Sequence, residues 1–259
     1  MYIYKKKETL ANKIYITKDK YYLQEFKKGL IDHKNELALI KAHPYYHIIS
    51  ESYKGIIYKN IVGTKINRNQ FNILLSKIIL ATKNLHLMSL DLPNFWLDII
   101  RLIKCKISDK NIRKYMKDLY DKLSFIINTK YINELMVPSH HNINHKNILL
   151  QDNNIIFINF EYVYKNYLYV DIGNIICENI FNENKQEYNF QKIDDNLINK
   201  IKNIYDPHLN INKIKLGINI YLYYKSLISI LEENVFINSN FNYNKFINNN
   251  LNYIIYNVY

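Results

Sequence analysis

Up to Gly63 the apolar residues fall into short strand-length runs around one helical stretch, and beyond it they repeat at helical spacing. A chain with that change of period has to build two lobes of different make-up. Residues 13–17 and 21–26 are β-rich runs joined by the polar turn Lys18-Asp19-Lys20, which predicts a hairpin. Residues 30–42 place Leu30, Leu37 and Ile40 with Glu36 in a helical pattern that His43-Pro44 ends. Two more strands, residues 47–52 and 55–60, meet at Tyr53-Lys54. After Gly63, the expected hinge, residues 69–87 carry Leu74, Ile78, Ala81 and Leu85 as one apolar stripe. Helices are expected again at 94–107, 109–128, 194–204, 211–233 and 243–256, the last presenting Phe246, Leu251 and Ile254 to a core. Between them, residues 140–178 read as a loop and hairpin forming one small β insert. The expectation is an α+β protein with an N-lobe at 1–63 and a helical C-lobe at 64–259 that carries the chemistry.

Composition narrows the function classes. The apolar runs are interrupted by Lys or Asn and stay below the roughly 18 to 20 residues that a membrane helix requires; residues 217–231 come closest and Lys225 breaks them. The first residues, Met1 to Lys7, have no apolar segment or small-residue cleavage site after their charges, so no secretory signal is expected. Two cysteines, Cys105 and Cys177, are too few for a disulfide framework or a thiolate metal site, which points to a reducing, cytoplasmic setting. Net charge is +12, but the lysines are spread along the chain apart from Lys5 to Lys7 and Lys27-Lys28. Nucleic-acid binding needs a concentrated basic face, so the charge alone does not support it. Asn and Lys are abundant while Gly and Pro are scarce, a balance that AT-rich codons produce without any functional demand.

The segment from His140 to Glu178 is the most specific. It contains His140-His141-Asn142-Ile143, then Asn147-Ile148, Asn159-Phe160-Glu161-Tyr162, Asn166-Tyr167, Asp171-Ile172-Gly173-Asn174 and Glu178. A protein-kinase-type phosphotransferase places an Asp five residues before an Asn on its catalytic loop and a second Asp after the next hairpin to hold magnesium. Both acidic positions here are amides, Asn142 and Asn159.

These residues resemble the choline and ethanolamine kinases, relatives of the aminoglycoside phosphotransferases. The family's His-Asn-Asp-Leu loop, Asp-Phe-Glu-Tyr element and Asp-Ile-Gly-Asn element with its following Glu are matched in order and spacing. Weaker echoes are Leu10-Ala11-Asn12-Lys13 for the phosphate loop, Asn35-Glu36 for the glutamate of the N-lobe helix, Leu85-His86-x-Met88 for a helix end, and Asn240-Phe241-Asn242-Tyr243 for a C-terminal motif. The resemblance implies a two-lobed protein-kinase-like fold, ATP and Mg2+ as cofactors where binding is retained, and a small cationic alcohol as substrate. It places the base at Asn142, metal ligands at Asn147, Asn159 and Glu161, and nucleotide contacts at Asn12, Gln24 and Glu36. Glu178, Phe181 and Tyr224 fall near the substrate's cationic head, and Asp171 is the structural acid beneath the loop.

The departures are chemically coherent. An amide at 142 is a very poor proton acceptor, and an amide at 159 lacks the anionic charge that a hard cation favours. Gln24 stands where the family has Lys or Arg, leaving Glu36 without its expected ion-pair partner unless Lys13 or Lys27 substitutes. Leu10-Ala11 replaces the glycine that lets a backbone approach a nucleotide. The expected function is therefore a choline/ethanolamine kinase-like protein with lost or impaired catalysis, which could serve a nucleotide or a protein partner. The alternative is an active kinase of choline, ethanolamine or a similar alcohol with a rearranged site, in which His140 or His141 accepts the proton. A basic binding module without nucleotide is a third reading. Blander roles exist for each residue: the His140, His141 and His145 cluster can simply bond backbone carbonyls, Tyr223-Tyr224 can be core, and Glu36 and Glu178 can be helix surface acids.

Overall fold

The computed structural model describes residues 3–8, 12–17, 21–26, 33–52, 54–59, 61–130, 133–233 and 241–258. In the N-lobe, strands β1 (Ile3–Glu8), β2 (Asn12–Thr17) and β3 (Tyr21–Phe26) precede helix α1 (His33–Ala42), and β4 (Ile48–Ser52) and β5 (Gly55–Lys59) follow it. They form one antiparallel sheet in the order β1-β2-β3-β5-β4. Strand β1 was not expected, because the Lys5 to Lys7 run hides its alternation; it pairs with β2 from Ile3↔Thr17 to Glu8↔Lys13. The expected phosphate loop at Leu10-Ala11, the turn at 18–20, Leu30, Tyr53, and Lys27 with Lys28 lie outside the described residues.

Beyond Gly63 the chain adds β6 (Thr64–Lys65), α2 (Arg68–Ile73), α3 (Leu75–His86), α4 (Phe95–Lys106) and α5 (Lys110–Lys130). The single helix expected at 69–87 is broken at Leu74, whose N–H still closes onto the Gln70 carbonyl. Asn67 and Gln70 form a capping box that starts the short helix locally. Then come β7 (Met136–Ser139), β8 (Ile148–Gln151), β9 (Asn154–Phe157), β10 (Tyr164–Tyr167), α6 (Leu168–Ile180), β11 (Phe181–Asn182), β12 (Glu187–Tyr188), α7 (Asp195–Tyr205), α8 (Ile211–Glu233) and α9 (Tyr243–Val258). The one small β insert that was expected is instead three small sheets, β6-β8-β9, β10-β7 and β11-β12. Helix α6 is a further correction, since that stretch read as part of a loop and hairpin.

Helices α6 and α8 form the centre of the C-lobe, and glycines let them meet backbone to backbone. A Cβ on Gly173 would sit 2.6 Å from the Gly217 carbonyl carbon, and one on Gly217 would sit 2.1 Å from the Tyr169 carbonyl oxygen. Tyr221 and Tyr223 of α8 are fully buried, as are Phe246 and Ile254 of α9. Among the described residues no helix is long and apolar enough to cross a membrane.

Candidate active site

The loop between β7 and β8 is held from below by one face of α6. Asp171, Asn174 and Glu178 are spaced three and then four residues apart, which puts them on a single stripe of that helix. The Asp171 carboxylate accepts the backbone N–H of His140 at 2.8 Å and that of His141 at 2.9 Å. Asn174 clasps Ile143 from both sides, accepting its N–H at 2.6 Å and donating to its carbonyl at 3.0 Å. His141 is left-handed (φ 59°), a conformation that costs a non-glycine residue about 1–2 kcal/mol. The paired amides on Asp171 stabilise that bend.

A second support runs outward from Asp171. His86 Nε2 lies 3.1 Å from Asp171 Oδ2, and His86 Nδ1 lies 2.7 Å from the Tyr205 hydroxyl. The imidazole thus donates to the carboxylate and accepts from the phenol. Burial alone would raise the Asp171 pKa; the hydrogen bonds from His86 and from the loop amide of His140 outweigh it and hold the group at about 2. It stays ionised, as its two loop amides require.

The proton-accepting role expected of His140 or His141 does not fit these positions. Both rings are fully buried. His141 Nδ1 donates to the Tyr162 carbonyl at 2.8 Å, Nε2 accepts from Asn166 Nδ2 at 2.9 Å, and the ring stacks on Phe95 at 4.5 Å. Burial lowers its pKa to about 4, so the ring is neutral with both nitrogens committed. His140 Nε2 meets the Ile158 carbonyl at 3.2 Å, and burial lowers its pKa as well. These histidines are structural, which is the blander role their loop position allowed. His145 pairs instead with Glu183 at 3.3 Å. Among the described residues no His, Cys, Asp and Glu cluster has the make-up of a metal site.

The three expected metal positions do converge. Asn147 and Glu161 are buried and Asn159 is half-buried. Asn159 Nδ2 donates to Glu161 Oε1 at 3.1 Å and reaches Asn147 Oδ1 at 3.4 Å. Its Oδ1 is buried with no partner. Asn159 takes a left-handed backbone (φ 68°), which Asn tolerates better than most residues. Asn142, at the expected base position, is half-buried, and its backbone carbonyl accepts from Asn147 Nδ2 at 2.8 Å. In the N-lobe, Gln24 and Glu36 are both buried, with Gln24 Nε2 unpartnered, and Asn12 begins β2.

The expected substrate residues separate. Tyr224 is packed against Phe95 at 5.1 Å and His141 at 5.5 Å, as core. Tyr223 is core too, donating to the Met116 carbonyl at 2.9 Å. Glu178 meets Arg68, whose Nη2 lies 3.2 Å from Oε2 and whose Nη1 donates to the Glu178 carbonyl. Tyr188 and Tyr221 donate to the other carboxylate oxygen at 3.3 and 3.2 Å. The Arg68 guanidinium lies over Phe181 at 5.2 Å and Phe71 at 5.8 Å. Arg68, Tyr188 and Tyr221 carry no motif, so nothing in the sequence marks them.

The sequence model described as choline/ethanolamine kinase matches residues 62–209, more than half of the chain and the whole of the loop, hairpin and α6. The chain belongs to the choline/ethanolamine kinase family. No curated protein sequence matches it. The fold is nevertheless shared with solved members. A choline kinase from Cryptosporidium parvum superposes with a TM-score of 0.72 at 17% identity, covering 99% of this chain and 88% of that one. An ethanolamine kinase from Plasmodium vivax gives 0.72 at 18% identity, covering 98% and 81%. A choline kinase from Streptococcus pneumoniae gives 0.71 at 14%, covering 100% and 93%. The two-lobed protein-kinase-like fold is thus established, and at these identities the likeness carries fold alone.

Proposed function

We propose that this family member has lost magnesium-dependent phosphoryl transfer, or retains it only in severely impaired form, while keeping the scaffold of the site. The observation that carries the reading is the position of the Asn159 amide between Asn147 Oδ1 and Glu161 Oε1. An NH2 group directed at two oxygens does locally what a cation would do for them. Magnesium favours anionic oxygens in near-ideal octahedral geometry, and this set offers one carboxylate facing an amide donor. The residues present therefore do not fit the ion.

The remaining requirements fail in the same direction. Asn142 cannot take up the proton of an attacking hydroxyl, and the two histidines that could have replaced it are enclosed. Loss of a general base alone typically costs about 100-fold to 10,000-fold. Gln24 can donate a hydrogen bond to a phosphate oxygen through Nε2 but cannot neutralise its charge. Solved relatives hold AMP in one case and streptomycin with ATP in another. For this chain we propose at most magnesium-independent nucleotide contact. A thermal-shift series with ATP or ADP, each with and without magnesium, tests it: magnesium should add nothing to any shift the nucleotide produces. A larger shift with magnesium would remove the basis for the reading.

A further inference from the structure

A carboxylate flanked by aromatic faces is the usual protein site for an organic cation, since ring quadrupole and charge both attract it. The Glu178 cluster has that construction, with Phe181 and Phe71 as the faces, and it is already filled by the chain's own guanidinium. Three observations show how completely. Arg68 bonds both the side chain and the main chain of Glu178. The second carboxylate oxygen takes two tyrosine hydroxyls, which also approach each other at 3.4 Å. The pair is largely withdrawn from water, with Arg68 15% and Glu178 7% exposed at the side chain.

We infer that Arg68 is a specificity-determining residue: its guanidinium occupies the cation subsite beside the catalytic-type loop, so the adjoining cleft takes a molecule without a fixed positive charge. This rests on the reading above of the His140 to Glu178 region as the family's site. The cleft, about 470 Å3, is lined by Arg68 and Glu183 and by amides such as Asn69, Asn184 and Asn189. Glu183 also reaches His145, which opens the short helical turn of the loop that ends at Asn147. An ammonium ligand entering here would have to displace Arg68 from a buried ion pair, and separating such a pair is strongly unfavourable because each charge is left uncompensated. Amide side chains, which both donate and accept, suit hydroxyl and carbonyl groups instead.

The test is choline binding by calorimetry and thermal shift, without nucleotide, on the wild-type chain and on Arg68→Ala. Wild type should show no saturable binding at millimolar choline. Arg68→Ala should gain it, by at least about tenfold in affinity, the effect expected of a desolvated cation–π and carboxylate contact. Arg68→Ala with Glu178→Gln should lose that gain, because the carboxylate is then gone. Should Arg68→Ala not fold, Arg68→Gln, which keeps a hydrogen bond to Glu178, replaces it with the same expectation. Saturable choline binding by wild type, or a folded variant that gains none, overturns the inference. ADP formation is measured separately: turnover without choline binding would remove the proposed loss of catalysis and leave this inference standing, and the reverse result would do the opposite.

Discussion

Asn159 Nδ2 lies 3.1 Å from Glu161 Oε1, so an amide donor meets the carboxylate where a family member with Asp would place two acids side by side. In the proposed reading that contact takes the place of a cation between the two side chains. Two carboxylates at this spacing repel one another unless a metal or a proton intervenes.

Asn159→Asp should therefore convert the site into one that needs a cation. The variant is expected to be less stable than wild type by about 1–3 kcal/mol at pH 7, as for a buried hydrogen bond replaced by a like-charge contact. Millimolar magnesium should restore much of that stability while leaving wild type unchanged. Urea denaturation with and without magnesium measures both. Equal responses in the two proteins would show that the amide does not stand in for an ion.

Asp171→Asn should loosen the catalytic-type loop. Two loop N–H groups and His86 all bond the carboxylate, and an amide offers one acceptor oxygen in place of two charged ones. A loss of about 2–3 kcal/mol is expected, since hydrogen bonds to charged groups contribute about 1.5–3 each. Amide exchange of His140 and His141 should accelerate more than that of the N-lobe sheet. Uniform acceleration would mean global destabilisation only.

Stability should fall on acidification below neutrality. The buried, neutral His141 has a folded pKa of about 4 against an ordinary 6.5, so the unfolded chain binds more protons between those values. Its contribution is full above pH 6.5 and is lost as pH falls toward 4, by on the order of 3 kcal/mol. Asp171, held at about 2, adds a second loss from about pH 4 downward. Denaturation at pH 7, 5.5 and 4.5 should show the first decline, and His141→Gln should make it shallower, the remainder belonging to His43 and the buried His140, which burial also holds below the ordinary imidazole value. A slope unchanged in the variant would assign the proton uptake elsewhere.

Gly173→Ala should destabilise the protein by about 3 kcal/mol or more. The new methyl would meet the Gly217 backbone, which has no rotamer with which to yield, so α6 and α8 must separate. Thermal and urea midpoints report the loss; a value within about 0.5 kcal/mol of wild type would show that the helices part at little cost.

What the sequence disclosed depended on how local each signal was. The period change at Gly63 and the helices at 211–233 and 243–256 were legible because their apolar spacing is internal to each segment. Helix α6 was obscured because almost every one of its residues is buried, which erases amphipathic periodicity. The break at Leu74 has no Gly or Pro to announce it. The convergence of Asn147, Asn159 and Glu161 followed from motif spacing, whereas the Arg68–Glu178 pair spans 110 residues and is created by tertiary packing alone. Residue type suggests a chemical role for His140 and His141 that their surroundings do not support: both nitrogens of His141 face fixed partners, and the His140 ring is fully buried with Nε2 on the Ile158 carbonyl.

Steady-state ADP formation with magnesium ATP and choline or ethanolamine, for wild type and for the Asn142→Asp, Asn159→Asp double variant, decides whether phosphoryl transfer has been lost. Wild type should turn over at least about 10,000-fold below the roughly 1 to 100 per second of ordinary kinases, and Arg68→Ala added to the double variant should be needed before choline is used. Wild-type turnover of about 1 per second or faster would contradict the account.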